Sequence, residues 1–241
     1  MNYLEEQRQF WDEFADEYYE IQQESFTTIV EDVAQYLLET NCLPCQLFVD
    51  IAGGYGKYLP TIAPYVNQYL LVDFSANMLK QATHTNDNVQ YIQCDQQTFC
   101  ANSNPDQYDL VFSAMNPALN TLQQLKDLLR MTKNQLILLQ VVDDQDTVFT
   151  PLEQFVSNNV APAIPFEKFK KWLEKEGIPW VNKTFSYQRE EPVTKIFVQD
   201  YFKEELQKNP ALKEKIATLF VDSETITATH KITFELLRIL K

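Results

Sequence analysis

The chain has 241 residues, of which 45% are hydrophobic, and its 34 acidic and 20 basic side chains give a formal net charge of −14. This composition is that of a globular protein with a sizeable core and excludes global disorder. The negative charge disfavours nucleic acid as a partner, because an acidic surface repels phosphates.

Neither a membrane span nor a signal peptide is expected. No stretch approaches the roughly 18 consecutive apolar residues that a transmembrane helix requires. The N-terminus is acidic and amphipathic, and it lacks the basic start and apolar run of a signal peptide. We therefore expect a cytoplasmic protein.

Two amphipathic helices are predicted within the first forty residues, because apolar side chains repeat there at helical spacing. The first stripe consists of Phe10, Trp11, Phe14, Tyr18 and Ile21. The second consists of Ile29, Val30, Val33 and Leu37. An aromatic stripe packs by default against the core of the following domain.

A cysteine pair, Cys42 and Cys45, follows these helices in a C-x-x-C arrangement. A zinc site needs two further ligands, and the other cysteines and histidines form no recognisable half-site. A thioredoxin-type pair would follow a strand and open a helix, whereas this pair precedes a predicted strand. We therefore expect no metal here, and thiols that are small buried or loop residues.

Five short apolar strands alternate with helices in the middle of the chain. The strands are predicted at residues 46–52, 68–74, 89–95, 108–115 and 135–144. A helix is predicted over 75–84 with Ser75 as its N-cap, and a leucine-rich helix around 122–129. This alternation predicts a doubly wound, mostly parallel, Rossmann-like α/β sheet with helices on both faces.

The pattern is less regular beyond residue 145. Helices are predicted near residues 166–176, 193–208 and 210–220, and extended segments near 179–189 and 226–240. Gly177 and Pro179 are expected to end the first of these helices. No linker or repeat is evident, so we expect one domain over residues 1–241.

Glycine is concentrated at one place in the chain. Of the four glycines, Gly53, Gly54 and Gly56 fall within four residues, directly after the first predicted strand. Together with Asp50 and Ala52 they place an acid and small residues at alternate positions. Such residues let the backbone turn sharply and bring bare amides close to a ligand. Ligands of doubly wound sheets bind at this end of the strands.

This segment resembles the first motif of the class I S-adenosylmethionine-dependent methyltransferases, although Ala52 stands where glycine is usual. The resemblance implies that the loop passes beside the methionine part of S-adenosylmethionine. It also implies that Asp50 orients the loop and reaches towards the amino group of the cofactor. The cofactor contacts expected here are Asp50, Ala52, Gly53, Gly54 and Gly56.

Acids at two further strand ends extend the resemblance. Asp73 follows the glycines by about twenty residues, where a carboxylate can accept hydrogen bonds from ribose hydroxyls. The segment after it, FSANML, resembles the second motif of the family, which implies that Phe74 and Met78 flank the adenine. Asp95 ends the third predicted strand and Gln96 follows it, and both are expected at the exocyclic amine of the adenine.

The acceptor side of the site is expected to include Met115 and Asn116 after the fourth strand, where the transferred methyl group must lie. The family commonly has an aromatic N-terminal helix that partly closes the site, and FWDEFADEYYE is similar. Tyr18 and Tyr19 are therefore expected on the substrate side, as part of a cover. Asn116 starts an Asn-Pro-Ala-Leu segment, which lacks the second proline and the aromatic residue of amino-methylating nucleic-acid enzymes. A small-molecule acceptor is the favoured hypothesis.

The expected layout within the single domain has three parts. Residues 1–42 form a helical cover, 45–144 the cofactor-binding core, and 145–241 the completion of the sheet with substrate-side helices. His84 and His230 could each serve as a general base, although structural roles are favoured. The methyl acceptor, the atom that is methylated and the oligomeric state stay open.

Two alternatives are weighed against this hypothesis. An NAD-dependent oxidoreductase would carry G-x-G-x-x-G, and the third glycine is absent because Leu59 occupies its position. A catalytically inactive cofactor-binding or scaffold protein is the second alternative. Methyl transfer relies largely on orientation, so loss of activity would leave little trace in the sequence.

Overall fold

The computed structural model describes residues 3–82, 87–156 and 166–241. The described chain forms two compact units. Unit 1 comprises residues 3–140, 166–185 and 235–241, and unit 2 comprises residues 141–156 and 186–234.

The strands form a seven-stranded sheet with the order β3-β2-β1-β4-β5-β7-β6, and the strands β1 to β4 belong wholly to unit 1. The strands β1 to β5 pair in parallel. The strand bounds are β1 Cys45–Ile51, β2 Val66–Asp73, β3 Val89–Gln93, β4 Tyr108–Ala114, β5 Thr132–Asp146, β6 Trp180–Thr194 and β7 Thr225–Leu240. The predicted mostly parallel, Rossmann-like α/β fold is confirmed.

The central strands are continuous apolar runs because helices cover both of their faces. All four residues from Phe48 to Ile51 are buried, and so are all five from Tyr69 to Asp73. The order of the strands reverses at β1, which has β2 on one side and β4 on the other. Ligands of doubly wound sheets bind at the carboxyl ends of strands at such a reversal.

The helices of unit 1 largely follow the predicted pattern. Their bounds are α1 Tyr3–Gln23, α2 Ile29–Glu39, α3 Leu59–Ile62, α4 Ala76–Gln81, α5 Gln96–Asn102, α6 Leu122–Met131 and α8 Phe166–Glu176. The hydroxyl of Ser75 caps α4 by accepting a 3.1 Å hydrogen bond from the amide of Met78. Gly177, at a φ of 68°, ends α8 as predicted. The helix α5 was not predicted.

Unit 2 contains the remaining parts of β5, β6 and β7 and four helices among the described residues: α7 Phe149–Val156, α9 Lys195–Tyr201, α10 Lys203–Lys208 and α11 Pro210–Leu219. Its core includes Leu152, Val198, Leu212 and Ile216. The prediction of one helix over 193–208 is wrong, because β6 extends to Thr194 and the helix that follows is broken at Phe202.

Among the described helices, none combines the length and apolar character needed to cross a membrane.

Candidate functional site

The candidate site lies at the carboxyl ends of β1, β2 and β4 in unit 1. Asp50 is the second-to-last residue of β1, Asp73 ends β2, and Met115 follows β4. Residues 52–58, which we call the glycine loop, connect β1 to α3. The sheet therefore brings the predicted acids and the glycines to one edge.

The backbone of the glycine loop explains its composition. Gly54 and Gly56 have φ values of 57° and 74°, a conformation that suits glycine. Gly53 is needed for space, because a Cβ atom there would lie 2.4 Å from Cδ1 of Leu71. Ala52 also has a positive φ, 57°, which costs a residue with a side chain about 1–2 kcal/mol. Strain of this kind concentrates at functional sites.

The space beside Gly54 is open on the side where a side chain would point. A Cβ atom placed on Gly54 would have one neighbour within 4 Å, the sulfur of Met78 at 3.9 Å. Met78 is 2% exposed, and its sulfur forms a wall of this space. The loop thus offers a bare backbone against which a flat ligand can pack.

Asp73 links the end of β2 to the glycine loop and to α4. Its Oδ2 accepts a 2.9 Å hydrogen bond from the amide of Gly54, and its Oδ1 accepts one of 2.8 Å from the amide of Ser75. Burial raises the pKa of Asp73, and the backbone hydrogen bonds oppose that rise. A carboxylate has about four lone-pair sites, so acceptor capacity is left for ligand hydroxyls.

Asp50 is 1% exposed and has one free oxygen. Its Oδ2 accepts a 2.8 Å hydrogen bond from the hydroxyl of Tyr69, whereas Oδ1 has no hydrogen-bond partner within the described structure. Burial raises the pKa of Asp50 to about 7, and the charge of Asp73 contributes to the rise. Buried polar atoms are usually paired, so Oδ1 is a candidate acceptor for a donor on a ligand.

Asn116 and Gln96 form a partly buried hydrogen-bonded link after the end of β4. The amide nitrogen of Asn116 donates to Oε1 of Gln96 at 2.6 Å and to the hydroxyl of Ser113 at 2.9 Å. Its side-chain oxygen accepts from the amide of Ala118 at 2.9 Å. Both of its N–H donors are therefore used to hold the turn after β4, and a contact between Asn116 and the acceptor stays a prediction.

The remaining predicted contacts lie around the same edge. Asp95 caps α5 by accepting a 2.9 Å hydrogen bond from the amide of Thr98, which is the ordinary role of an acid at a strand end. Phe74 is half-buried, between Asp73 and Ser75. Met115 is half-buried at a φ of 49°, and this strain marks the end of β4 as it marks the end of β1.

The helix α1 is fastened to the site at two points. Oδ1 of Asp12 accepts a 2.7 Å hydrogen bond from the hydroxyl of Ser75 and one of 3.2 Å from the amide of Asn77, at the start of α4. The ammonium group of Lys57 in the glycine loop donates to Oε1 of Gln22 at 2.8 Å. These contacts hold α1 across the loop.

Tyr18 and Tyr19 both contact Tyr55 of the glycine loop. Their ring centroids lie 6.1 Å and 5.2 Å from that of Tyr55, in edge-to-face arrangements. Burial raises the pKa of Tyr18, and the charge of Asp73 adds to this rise, so the Tyr18 hydroxyl is within electrostatic range of that carboxylate. The structure thus brings both tyrosines to the loop that also contacts Asp73.

Sequence reasoning missed three residues of this region: Tyr55, Asp12 and Tyr69. Tyr55 lies between Gly54 and Gly56, and the pattern of small residues there gives no signal for an aromatic contact. Asp12 is one of seven acids on α1 and carries no signal of its own. Tyr69 lies in an apolar strand, where its hydroxyl signals a need for a buried partner such as Asp50.

His230, the candidate base among the described residues, is not part of this group. His84 falls outside the described residues. His230 lies in unit 2, with its Nε2 at 2.6 Å from Oδ1 of Asp144. The four cysteines are free thiols, and the described part of the chain contains no group of three or more side chains arranged to hold a metal ion.

Comparison with known proteins gives one family match. Residues 48–136 match the family described as a methyltransferase domain. These residues run from β1 into β5 and contain the glycine loop and Asp73. No curated protein sequence matches the chain.

Solved structures share the fold. The YcgJ protein from Bacillus subtilis is 13% identical, with a TM-score of 0.55 over 88% of this chain and 98% of that one. Magnesium protoporphyrin IX methyltransferase from Synechocystis, solved with S-adenosylhomocysteine, is 14% identical, with a TM-score of 0.52 over 88% and 81%. Phosphoethanolamine N-methyltransferase 2 from Haemonchus contortus, solved with S-adenosylmethionine, is 16% identical, with a TM-score of 0.50 over 87% and 52%. At these identities the likeness concerns the fold.

Proposed function

We propose that the chain is a class I S-adenosylmethionine-dependent methyltransferase and that it methylates a small-molecule acceptor at the edge formed by β1, β2 and β4. The observation that carries the proposal is the hydrogen bond between Gly54 and Asp73. It joins the strained glycine loop to a buried strand-end carboxylate with spare acceptor capacity.

The residues at this edge fit S-adenosylmethionine in three respects. Asp73 offers acceptor sites for the ribose hydroxyls. The free Oδ1 of Asp50 is a buried acceptor for the amino group of the methionine part. The open space beside Gly54 is bounded by the sulfur of Met78, so a flat adenosyl group can lie against bare backbone. We assign the contacts that flank the adenine to Phe74 and Met78.

The roles of the other predicted residues rest on the resemblance to the family. Asp95 and Gln96 are proposed to contact the adenine, and Met115 to lie near the methyl group. Ala52, Gly53 and Gly56 are proposed to shape the loop around the methionine part. Nothing in these assignments requires a metal ion.

The chemistry asks little of the protein beyond placement. The cofactor supplies a methyl group on a sulfonium, which is already an activated leaving group. The chain must therefore hold the acceptor in line and exclude water, which provides much of the rate of a reaction between two bound molecules. We assign the exclusion of water to α1, whose Tyr18 and Tyr19 contact the glycine loop.

A small molecule is supported as the acceptor by the net charge of −14, which opposes binding of nucleic acid. Two neighbours of the same fold carry small compounds in their names, a phosphoethanolamine and a magnesium porphyrin. A cytoplasmic location stays a prediction from the sequence, and so does the disfavoured binding of nucleic acid.

The test is transfer of a labelled methyl group. The purified chain is incubated with methyl-labelled S-adenosylmethionine and pools of small metabolites, and label is followed by mass spectrometry. Transfer that is lost in Gly54→Ala supports the proposal. A chain that binds the cofactor but labels no small molecule, while it labels protein or nucleic acid, would refute the proposed acceptor class. No transfer to any acceptor would favour the inactive binding protein.

A further inference from the structure

One side of α1 carries a continuous set of aromatic rings, formed by Phe10, Trp11, Phe14 and Tyr18, which we call the aromatic face. Neighbouring ring centroids are 5.4 Å apart for Phe10 and Trp11, and 5.6 Å apart for Phe10 and Phe14. Tyr18 lies 5.5 Å from Trp11 and 5.9 Å from Phe14. The rings therefore form one contiguous aromatic surface.

The aromatic face is not part of the core. Among the described residues of α1, Ala15 alone is buried, and Phe10 is 52% exposed. Trp11, Phe14 and Tyr18 are half-buried. The helix attaches to α4 through a different side, where Asp12 contacts Ser75 and Asn77. Contiguous apolar surface that is left partly open to solvent is a feature of binding sites.

The aromatic face continues to the candidate site. Tyr18 lies 6.1 Å from Tyr55 of the glycine loop, and burial, followed by the charge of Asp73, raises the pKa of Tyr18. A molecule packed on the aromatic face would thus have one end beside the loop that we assign to the cofactor. Continuity with that site favours the methyl acceptor as the occupant.

The charge around the aromatic face limits the chemistry of the occupant. The helix α1 carries one Arg and seven acids: Glu5, Glu6, Asp12, Glu13, Asp16, Glu17 and Glu20. The guanidinium of Arg8 is itself paired with Glu5 and lies 3.8 Å from Asp12. An anionic molecule would be repelled here, whereas a neutral molecule would not and a cation would be attracted to both the acids and the ring faces.

We propose that the aromatic face is the docking surface of the methyl acceptor, and that this acceptor is a planar aromatic molecule without negative charge, with an amine as the favoured nucleophile. The inference rests on the proposed function. Aromatic pairs are favourable in offset-stacked and edge-to-face arrangements. The rings of the aromatic face are inclined to one another, so a planar ligand can form both kinds of contact with them. A lone pair of the acceptor forms the new bond to the methyl carbon as the carbon–sulfur bond breaks and its electrons remain on sulfur. An amine that docks as its ammonium ion first loses a proton to water, because only the neutral amine has the lone pair that forms this bond.

The test compares three probes of similar size on the full chain saturated with S-adenosylhomocysteine. The probes are 1-naphthylmethylamine, which is aromatic and cationic, 1-naphthoate, which is aromatic and anionic, and decahydro-1-naphthylmethylamine, which is cationic and not aromatic. Calorimetry should show binding of the first at least tenfold tighter than binding of the other two. Equal binding of all three, or tightest binding of 1-naphthoate, would overturn the proposal.

Substitutions locate the binding. Phe14→Leu and Trp11→Leu should each weaken binding of 1-naphthylmethylamine at least fivefold, and leave the affinity for S-adenosylhomocysteine within twofold. The matched control is Tyr65→Leu. Tyr65 directly precedes β2, and its aromatic side chain is 42% exposed. The control should bind the probe as the unchanged chain does. Equal weakening in the control, or none in the two α1 variants, would contradict the proposed surface.

Two further outcomes separate the inference from the proposed function. Failure to bind S-adenosylhomocysteine would refute the proposed function itself. Binding of S-adenosylhomocysteine with no binding of 1-naphthylmethylamine would overturn only the acceptor class. Sedimentation addresses the other occupant, a second copy of the chain: a dimer that dissociates in Phe14→Leu would overturn the proposal.

Discussion

The amide of Gly54 donates a 2.9 Å hydrogen bond to Oδ2 of Asp73. The same carboxylate accepts from the amide of Ser75 through its other oxygen. One buried side chain therefore holds together the glycine loop, the end of β2 and the start of α4. This arrangement makes Asp73 both a brace of the loop and a candidate ligand contact.

Replacing Asp73 by alanine should weaken binding of S-adenosylhomocysteine by about 2–3 kcal/mol, roughly 30- to 150-fold, because hydrogen bonds to a charged group are lost. It should also lower the free energy of unfolding by about 1–3 kcal/mol, because the amides of Gly54 and Ser75 lose their acceptor. Calorimetry and urea unfolding measure the two effects. A folded variant with unchanged affinity would show that Asp73 is only a brace.

Gly54 and Gly177 form a matched pair, because both have a positive φ and neither has an atom within 3.4 Å of where a Cβ would lie. Alanine at either position should cost about 1–2 kcal/mol of stability through backbone strain. Only Gly54→Ala should abolish binding of S-adenosylhomocysteine, since its methyl group would enter the space beside Met78. Equal affinity in the two variants would place the ligand elsewhere.

Asp50 should make the stability of unit 1 depend on pH. Burial raises its pKa from 3.8 to about 7, so the folded chain binds the proton more tightly than the unfolded chain does. The stabilising contribution of the protonated carboxyl is present at low pH and is lost as pH rises through the folded pKa.

The comparison with Asp50→Asn isolates this effect. Between pH 5.5 and 7.0 the unchanged chain should lose about 2 kcal/mol of unfolding free energy relative to Asp50→Asn. Urea unfolding at a series of pH values gives the difference between the two proteins. A difference that stays constant with pH would mean that Asp50 is ionised throughout this range in the folded chain.

Deletion of residues 1–22 tests the cover. The helix α1 contributes one buried residue, Ala15, so the sheet should stay folded without it. The deletion should weaken ligand binding or methyl transfer strongly, because Tyr18 and Tyr19 no longer shield the loop. It should lower the melting temperature only slightly. Loss of the fold, or full affinity and activity in the shortened chain, would reduce α1 to a structural element. Tyr18→Ala with Tyr19→Ala is the milder variant of the same test.

The alternation of apolar strands and helices predicted the fold. Strands that are buried on both faces are short continuous apolar runs, and such runs can be recognised in the local sequence. The five strands of the middle region were found within three residues of their true ends. The helix α5 was missed because QQTFCAN has only two buried residues, Phe99 and Cys100, which is too few for a visible period.

The site was predictable where it depends on the backbone and hidden where it depends on packing. Positions 52–56 and Asp73 stand out, since turns and strand ends restrict residue type. The contact of Tyr55 with Tyr18 and Tyr19 joins residues more than thirty positions apart, and no local pattern reports it. The exposure of Phe10 was equally hidden, because a helical aromatic stripe has the same spacing in the core and at an open surface.

The most direct measurement of the central claim is a calorimetric titration of the unchanged chain with S-adenosylhomocysteine and, separately, with NAD. Both ligands carry an adenosine, so the comparison tests the whole loop rather than adenine binding alone. The account predicts binding of S-adenosylhomocysteine in the micromolar range and no binding of NAD. Equal binding of the two, or binding of NAD alone, would contradict it.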